Sequence, residues 1–353
     1  NLNTAVGKAA GAAVTTAVNN DFIGALAGDS LNTGGENTAV GYIALSADTK
    51  GAKSVAIGIG TLQVQNFTTA TSTFNTAVGY AAGNAVTTGK YNSLVGGQAG
   101  DALTDADWNV ALGVNALSTD TLGSNSVAIG GNALQQQNFT TATNTYNVAV
   151  GYNAGVAVTT GVQNTFIGGL AGDTITTGSR NIALGYALDI SAVNRVEEFV
   201  IGWGITGGGA NTVRIGGSGG NATLGLDGSD TSWAAASDER LKKDVVTSTA
   251  GLSFIKDLRP ITYKWKAKDA VESNLPQYDA DSTDPVYGSD KTQHGFIAQE
   301  VKTAINAHSE IKNGFSMWSE DPNGTQQVAP AALVPILVKA IQELEARIAT
   351  LEG

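Results

Sequence analysis

Residues 37–41 read NTAVG, and the string keeps returning. It stands as NTAVG at 3–7, NDFIG at 20–24, SVAIG at 54–58, NTAVG at 75–79, NSLVG at 92–96 and NVALG at 109–113. SVAIG follows at 126–130, NVAVG at 147–151, NTFIG at 164–168 and NIALG at 181–185, and a worn copy ends at Gly202. The closing glycines are spaced 17, 17, 17, 21, again 17, 17, 17, 21, then 17, 17, 17, so a block of 72 residues itself repeats. The long unit carries QNFTTATSTF at 65–74 and QNFTTATNTY at 137–146. Seventeen residues are too few for a strand–helix–strand unit but suit one coil of a β-solenoid.

The positions within the unit suggest its geometry. Val, Ile or Leu precedes the glycine, which implies a short strand whose branched side chain stacks on its neighbours in a dry interior. Asn or Ser sits four before the glycine and can ladder its amide from coil to coil. Ala stands three after it in most copies, as at Ala27, Ala82, Ala99, Ala154 and Ala171, where backbones approach closely. The TTG and NTG segments read as turns in which Gly supplies a positive φ. Tyr42, Tyr80, Tyr152 and Tyr186 follow the repeat glycine; packing on a neighbouring coil or chain explains them more economically than stacking on sugars.

Composition changes at Ser237. Before it, 7 Lys+Arg and 14 Asp+Glu are spread over 236 positions with 39 of the 45 glycines and no proline. After it come 13 Lys+Arg, 17 Asp+Glu and all six prolines. A fibrous part therefore meets a globular one, divided as 1–216 repeats, 217–236 junction and 237–353 C-terminal domain. The net charge of −11 argues against a nucleic-acid binder. The absence of cysteine excludes disulfides and a thiol nucleophile, and two histidines make a His-rich metal site unsuitable. No apolar run is long enough to span a membrane as a helix. The sequence opens on Asn1 and shows no signal peptide, which suits a piece of a longer chain.

Other patterns carry little. Residues 202–207 fit GxGxxG, but a second strand-like string, TVRIG, follows where a dinucleotide site needs a helix. Asp101, Asp105 and Asp107 lack the glycine and glutamate of a calcium loop. His294 and His308 have no partner pattern. No cofactor or metal is expected.

The C-terminal part reads SDERLKKDV (237–245), GLSFIKDLRPITYKWK (251–266), QHGFIAQEV (293–301) and ALVPILVKAIQELEARIATLEG (332–353). Leu252, Phe254, Ile255 and Leu258 make a helical apolar face, and 261–265 alternates like a strand. Val334, Leu337, Ile341, Leu344, Ile348 and Leu351 are spaced 3, 4, 3, 4, 3, a heptad seam. On side-chain shape alone that seam favours two strands.

Two resemblances follow. Residues 1–216 resemble the head repeats of trimeric autotransporter adhesins, a β-roll built on NSVAIG-like strings, which stands here at 125–130, and the repeat shafts of phage tail fibres. The four C-terminal strings, in order, resemble the intramolecular chaperone domain of phage endosialidase tailspikes, a self-cleaving serine peptidase family. The second resemblance implies three chains and cleavage between Ala236 and Ser237. It implies Ser237 as nucleophile and Lys242 as its base, with Asp238 a weaker candidate for orienting the pair. On the residues alone, Ser237 is equally a helix cap and Lys242 a surface cation.

The expected protein is mainly β: a trimeric β-solenoid shaft, then an α+β chaperone domain ending in a coiled-coil helix. Its expected function is that of a virus tail fibre or tailspike for host attachment, extracellular on the virion. Its partners would be two further copies, other virion tail proteins and a host surface receptor, a glycan by preference, with no nucleic acid and no membrane insertion. Any enzymatic activity would be a single autocatalytic cut of its own chain. The alternative is a trimeric cell-surface adhesin that retains its C-terminal domain uncleaved. A polysaccharide-degrading enzyme would need a carboxylate pair in a cleft, and carboxylates are sparse before Ser237.

Overall fold

The computed structural model describes residues 2–353 except 218–219, 227–233, 236, 276, 288–290 and 322–323. It divides into two units, Asn1–Asp238 and Glu239–Gly353.

The first unit is a β-solenoid. Each repeat string forms a short strand, such as Thr38–Val40 or Val148–Val150, and successive strands pair in parallel with their columns aligned: Thr38 with Val55, Ala39 with Ala56, Val40 with Ile57. The sheet has 15 strands. It is parallel from Thr4–Val6 to Thr212–Gly217 and closes with two antiparallel strands, Gly220–Gly225 and Ala234–Ala235. In the long coils the extra residues add small parallel ladders, Gly51–Ala52 with Thr71–Ser72 and Gly123–Ser124 with Thr143–Asn144.

The inward column is not the expected one. Side chains alternate across a strand, so the residues one and three before the glycine share a face and only the one between them can enter the coil. That residue is Ala39, Ala77, Leu94, Ala149 or Phe166, each fully buried. Val40, Val78, Val95, Ile129 and Val150 face outward and are half-buried, while Ile57, Leu112 and Ile167 are exposed. The core column is small because the opposite wall lies one side chain away. That wall supplies Leu31, Leu62, Leu103 and Leu134 and the alanines three after the glycine.

Two kinds of glycine hold the coils at their spacing. The closing glycines have φ near +135°, and a Cβ there would strike the backbone of the next coil. The TTG and NTG glycines lack the positive φ expected of them. They are needed for close approach: a Cβ on Gly89 would lie 2.4 Å from the Ala106 carbonyl oxygen. Left-handed φ falls elsewhere in the coil, on glycines such as Gly83 and Gly155 and on non-glycine residues such as Trp108, Asn132 and Asn153.

The asparagine ladder is present. The Oδ1 of Asn147 accepts the amide of Asn164 at 2.9 Å, and Asn164 accepts that of Asn181 at 3.0 Å. Each Nδ2 reaches a carbonyl fourteen residues on, as Asn92 to Ala106 at 2.7 Å and Asn147 to Gly161 at 2.7 Å. These groups are buried, and a buried polar group without a partner costs about 1–3 kcal/mol, so the ladder fixes the stacking register. Where Ser54 and Ser126 replace Asn, the long coils supply Gln65 and Gln137, whose amides donate to the serine hydroxyls at 2.9 Å. The buried carboxylates of Asp48 and Asp120 bind these glutamines and two backbone amides each, pinning the long coils. Glu198 ends the ladder: its amide donates to Asn181, and its carboxylate accepts from Ser191 and Gly209.

The second unit packs helices α1 (Leu252–Asp257), α2 (Ala298–Ala307) and α3 (Val334–Glu352) around Phe254, Val301, Ile305, Met317, Leu333 and Ile336. Among the described residues two short antiparallel strand pairs accompany them, Ile261–Tyr263 with Gln293–Gly295 and Trp318–Glu320 with Gln326–Val328.

Candidate functional site

Ser237 and Asp238 are exposed and lie outside any helix or strand. Ala236, the other side of the expected bond, lies outside the described residues. A single 3-10 turn, Glu239–Leu241, begins the second unit, and the Lys242 amide donates to the Glu239 carbonyl at 3.0 Å. The expected helix at this point is a single turn. Lys242 is exposed.

The geometry of α3 is two-sided. Ile336 and Ala340 are buried against the core of the second unit, and Glu343 accepts the Leu252 amide at 2.9 Å. The opposite side carries all six expected seam residues, and all six are exposed; Ile341 is 65% and Leu351 87% accessible. An apolar seam of this length in water is unfavourable for a lone helix.

One ionic group was not legible in the sequence. His308 lies with Nε2 2.8 Å from Asp257 and Nδ1 3.1 Å from Glu310, and its ring meets Phe254 edge-on. The hydrogen bond to Asp257, with Glu310 assisting, raises the imidazole above its ordinary pKa. Asp257 is 51 residues away in sequence, so no spacing could reveal the pair. Arg259 and Glu300 make a second, exposed ion pair.

The patterns set aside earlier have simple structural roles. Strand Thr212–Gly217 follows residues 202–207. Asp105 accepts the Thr88 hydroxyl and Asp107 the Lys90 amide. Among the described residues, no group of three His, Cys, Asp or Glu is placed to hold a metal. No helix among them is long and apolar enough to cross a membrane.

The stretch that opens at Ser237 and runs through α1 and α2 decides the relationship. Residues 237–309 match the family described as chaperone of endosialidase. The chaperone-of-endosialidase match begins at Ser237 itself and ends before α3. The chain therefore carries a C-terminal chaperone domain behind a β-solenoid repeat shaft. No curated protein and no solved structure matches the chain.

Proposed function

We propose that this chain is part of a virus tail fibre or tailspike that serves in host attachment, and that its C-terminal domain trimerises the chain and sets the register of the shaft. The observation that carries this reading is the α3 seam: six apolar residues at heptad spacing, all exposed in one chain, on a helix whose other side is already packed. The need is physical. Each 17-residue coil resembles the next, so three chains can meet out of step by whole coils at little cost in local contacts. A non-repetitive domain that associates first removes that choice. The test is deletion of residues 237–353. The reading expects aggregated or misregistered shaft, and a soluble, monodisperse trimer of residues 1–236 would overturn it.

The family match supports a self-processing step. In this proposal the Ser237 hydroxyl oxygen attacks the Ala236 carbonyl carbon, Lys242 takes the hydroxyl proton and passes it to the Ser237 amide nitrogen, and the C–N bond breaks to leave an ester and a free amine. Water then hydrolyses the ester, freeing an Ala236 carboxylate and a domain of 117 residues, 237–353. Because Lys242 is exposed in one chain, its desolvation would come from association, so cleavage would follow assembly rather than precede it. Asp238 orients the pair in this scheme. Removal of the domain afterwards would leave the shaft kinetically trapped.

A further inference from the structure

From Thr38 to Trp203 the outer face of the solenoid sheet is a continuous uncharged strip, the two coils before it carrying Lys8 and Asp21 at the same positions, and we infer that this strip is the surface on which copies of this chain pack against one another. This rests on the trimeric reading above and assigns that trimer its shaft interface.

Three places in each coil build the strip: the residues one and three before the closing glycine, and the residue after it. From Thr38 to Trp203 none of these is charged. The charges of the same coils, among them Glu36, Lys50, Lys90, Asp105, Asp173 and Arg180, all lie elsewhere. The column before the glycine is Val, Ile or Leu throughout and stays in register across the sheet, as Leu112 with Ile129 and Ile129 with Val150.

A parallel sheet is normally covered on both faces. Here the inner face is covered by the solenoid core, and the outer one is bare in the single chain: Leu112 is 48% and Val114 59% accessible. The Tyr152 ring lies 3.5 Å from where a Cβ of Gly131 would stand, and Tyr186 sits over Gly169 in the same way. Ten strands at ~4.8 Å make a strip about 43 Å long, and four residues at ~3.3 Å make it about 13 Å wide. The resulting area, roughly 600 Å², lies at the upper end for a patch on a monomer and near the share one partner gives a stable interface.

The absence of charge selects the occupant. In a parallel, in-register trimer a strip that faces the three-fold axis meets its own equivalents, so any charge there would face a like charge. A partner of different sequence could match charge with opposite charge and would impose no such rule. Uniform neutrality over ten coils fits a second and third copy of this chain.

The protein contains no cysteine, so single cysteines report cleanly. Leu112→Cys, on the strip, and Thr141→Cys, exposed in a long coil, would each be treated with a maleimide in the native full-length assembly after its native mass is measured. Ile167→Cys repeats the strip position should Leu112→Cys fail to fold. The inference expects a trimer in which the strip cysteine reacts at least about tenfold more slowly than Thr141→Cys, with the difference lost on unfolding. A trimer in which both react at the same rate would overturn the shaft interface while leaving the trimeric reading intact. A monomer would overturn both.

Discussion

Two neighbouring glycines, Gly130 and Gly131, test the packing of the coils because the structure gives them opposite roles. Gly130 closes a repeat with φ +129°, and an ideal Cβ there would lie 2.4 Å from the Gly151 carbonyl oxygen. Both the backbone conformation and the space are denied to alanine. A side chain forced into that region costs of order 1–3 kcal/mol, and overpacking against a fixed backbone a further 1–3, so Gly130→Ala should cost about 2–6 kcal/mol. Gly131 has no positive φ, and its Cβ would meet only the Tyr152 ring at 3.5 Å, an ordinary contact. Gly131→Ala should change stability by no more than about 1 kcal/mol, with the loss of unfolded-state entropy favouring the variant. Thermal unfolding followed by circular dichroism at one scan rate separates the two. At roughly 2–4 °C per kcal/mol for a unit of this size, Gly130→Ala should melt on the order of 5–20 °C lower and Gly131→Ala within a few degrees of the parent. Equal midpoints for the two variants would refute the view that coil spacing is set by backbone contact at the closing glycine.

Further outcomes follow from other sites. Asn147→Ala orphans the Asn164 amide and the Gly161 carbonyl in a buried ladder and should cost about 2–5 kcal/mol, read by denaturant midpoint. The raised pKa of His308 makes its ion pairs stabilising below the ordinary histidine value of about 6.5, and the contribution is lost as pH rises through the higher folded value. Stability of the C-terminal domain should therefore fall across that window, and His308→Gln should flatten the profile. Ser237→Ala and Lys242→Ala should each assemble yet yield only full-length chain on a denaturing gel after long incubation beside the parent. The 117-residue fragment from Ser237→Ala would exclude Ser237 as nucleophile.

The solenoid was readable because its constraints are periodic. A glycine that cannot be replaced and an amide that must pair recur at 17 or 21 residues, and the period alone names the fold. Which column of the strand faces inward is not legible from hydrophobicity alone. The most apolar column, which includes Ile129 and Val150, lies outside, and the core column is mostly alanine because the coil is thin. The TTG and NTG strings do not reveal the left-handed turns, which lie elsewhere in the coil on residues as different as Gly83, Gly155, Trp108 and Asn153. The Asp120 clamp left a trace that could have been followed, since Asp48 stands 72 residues before it and QNF follows each at the same distance. The α3 seam was fully legible from its spacing. The His308 cluster was not, because tertiary packing joins residues that no local pattern connects.

The central claim is that the C-terminal domain holds three copies of this chain together through the α3 seam. Native mass measurement of the full-length protein, compared with its mass under denaturing conditions, tests it most directly when repeated on Ile341→Asp with Ile348→Asp. Both residues are exposed in one chain, so the substitutions spare the fold of the second unit. The account predicts three chains for the parent and loss of the ordered trimer for the variant. A variant that forms the same trimer with the same heat resistance would contradict it.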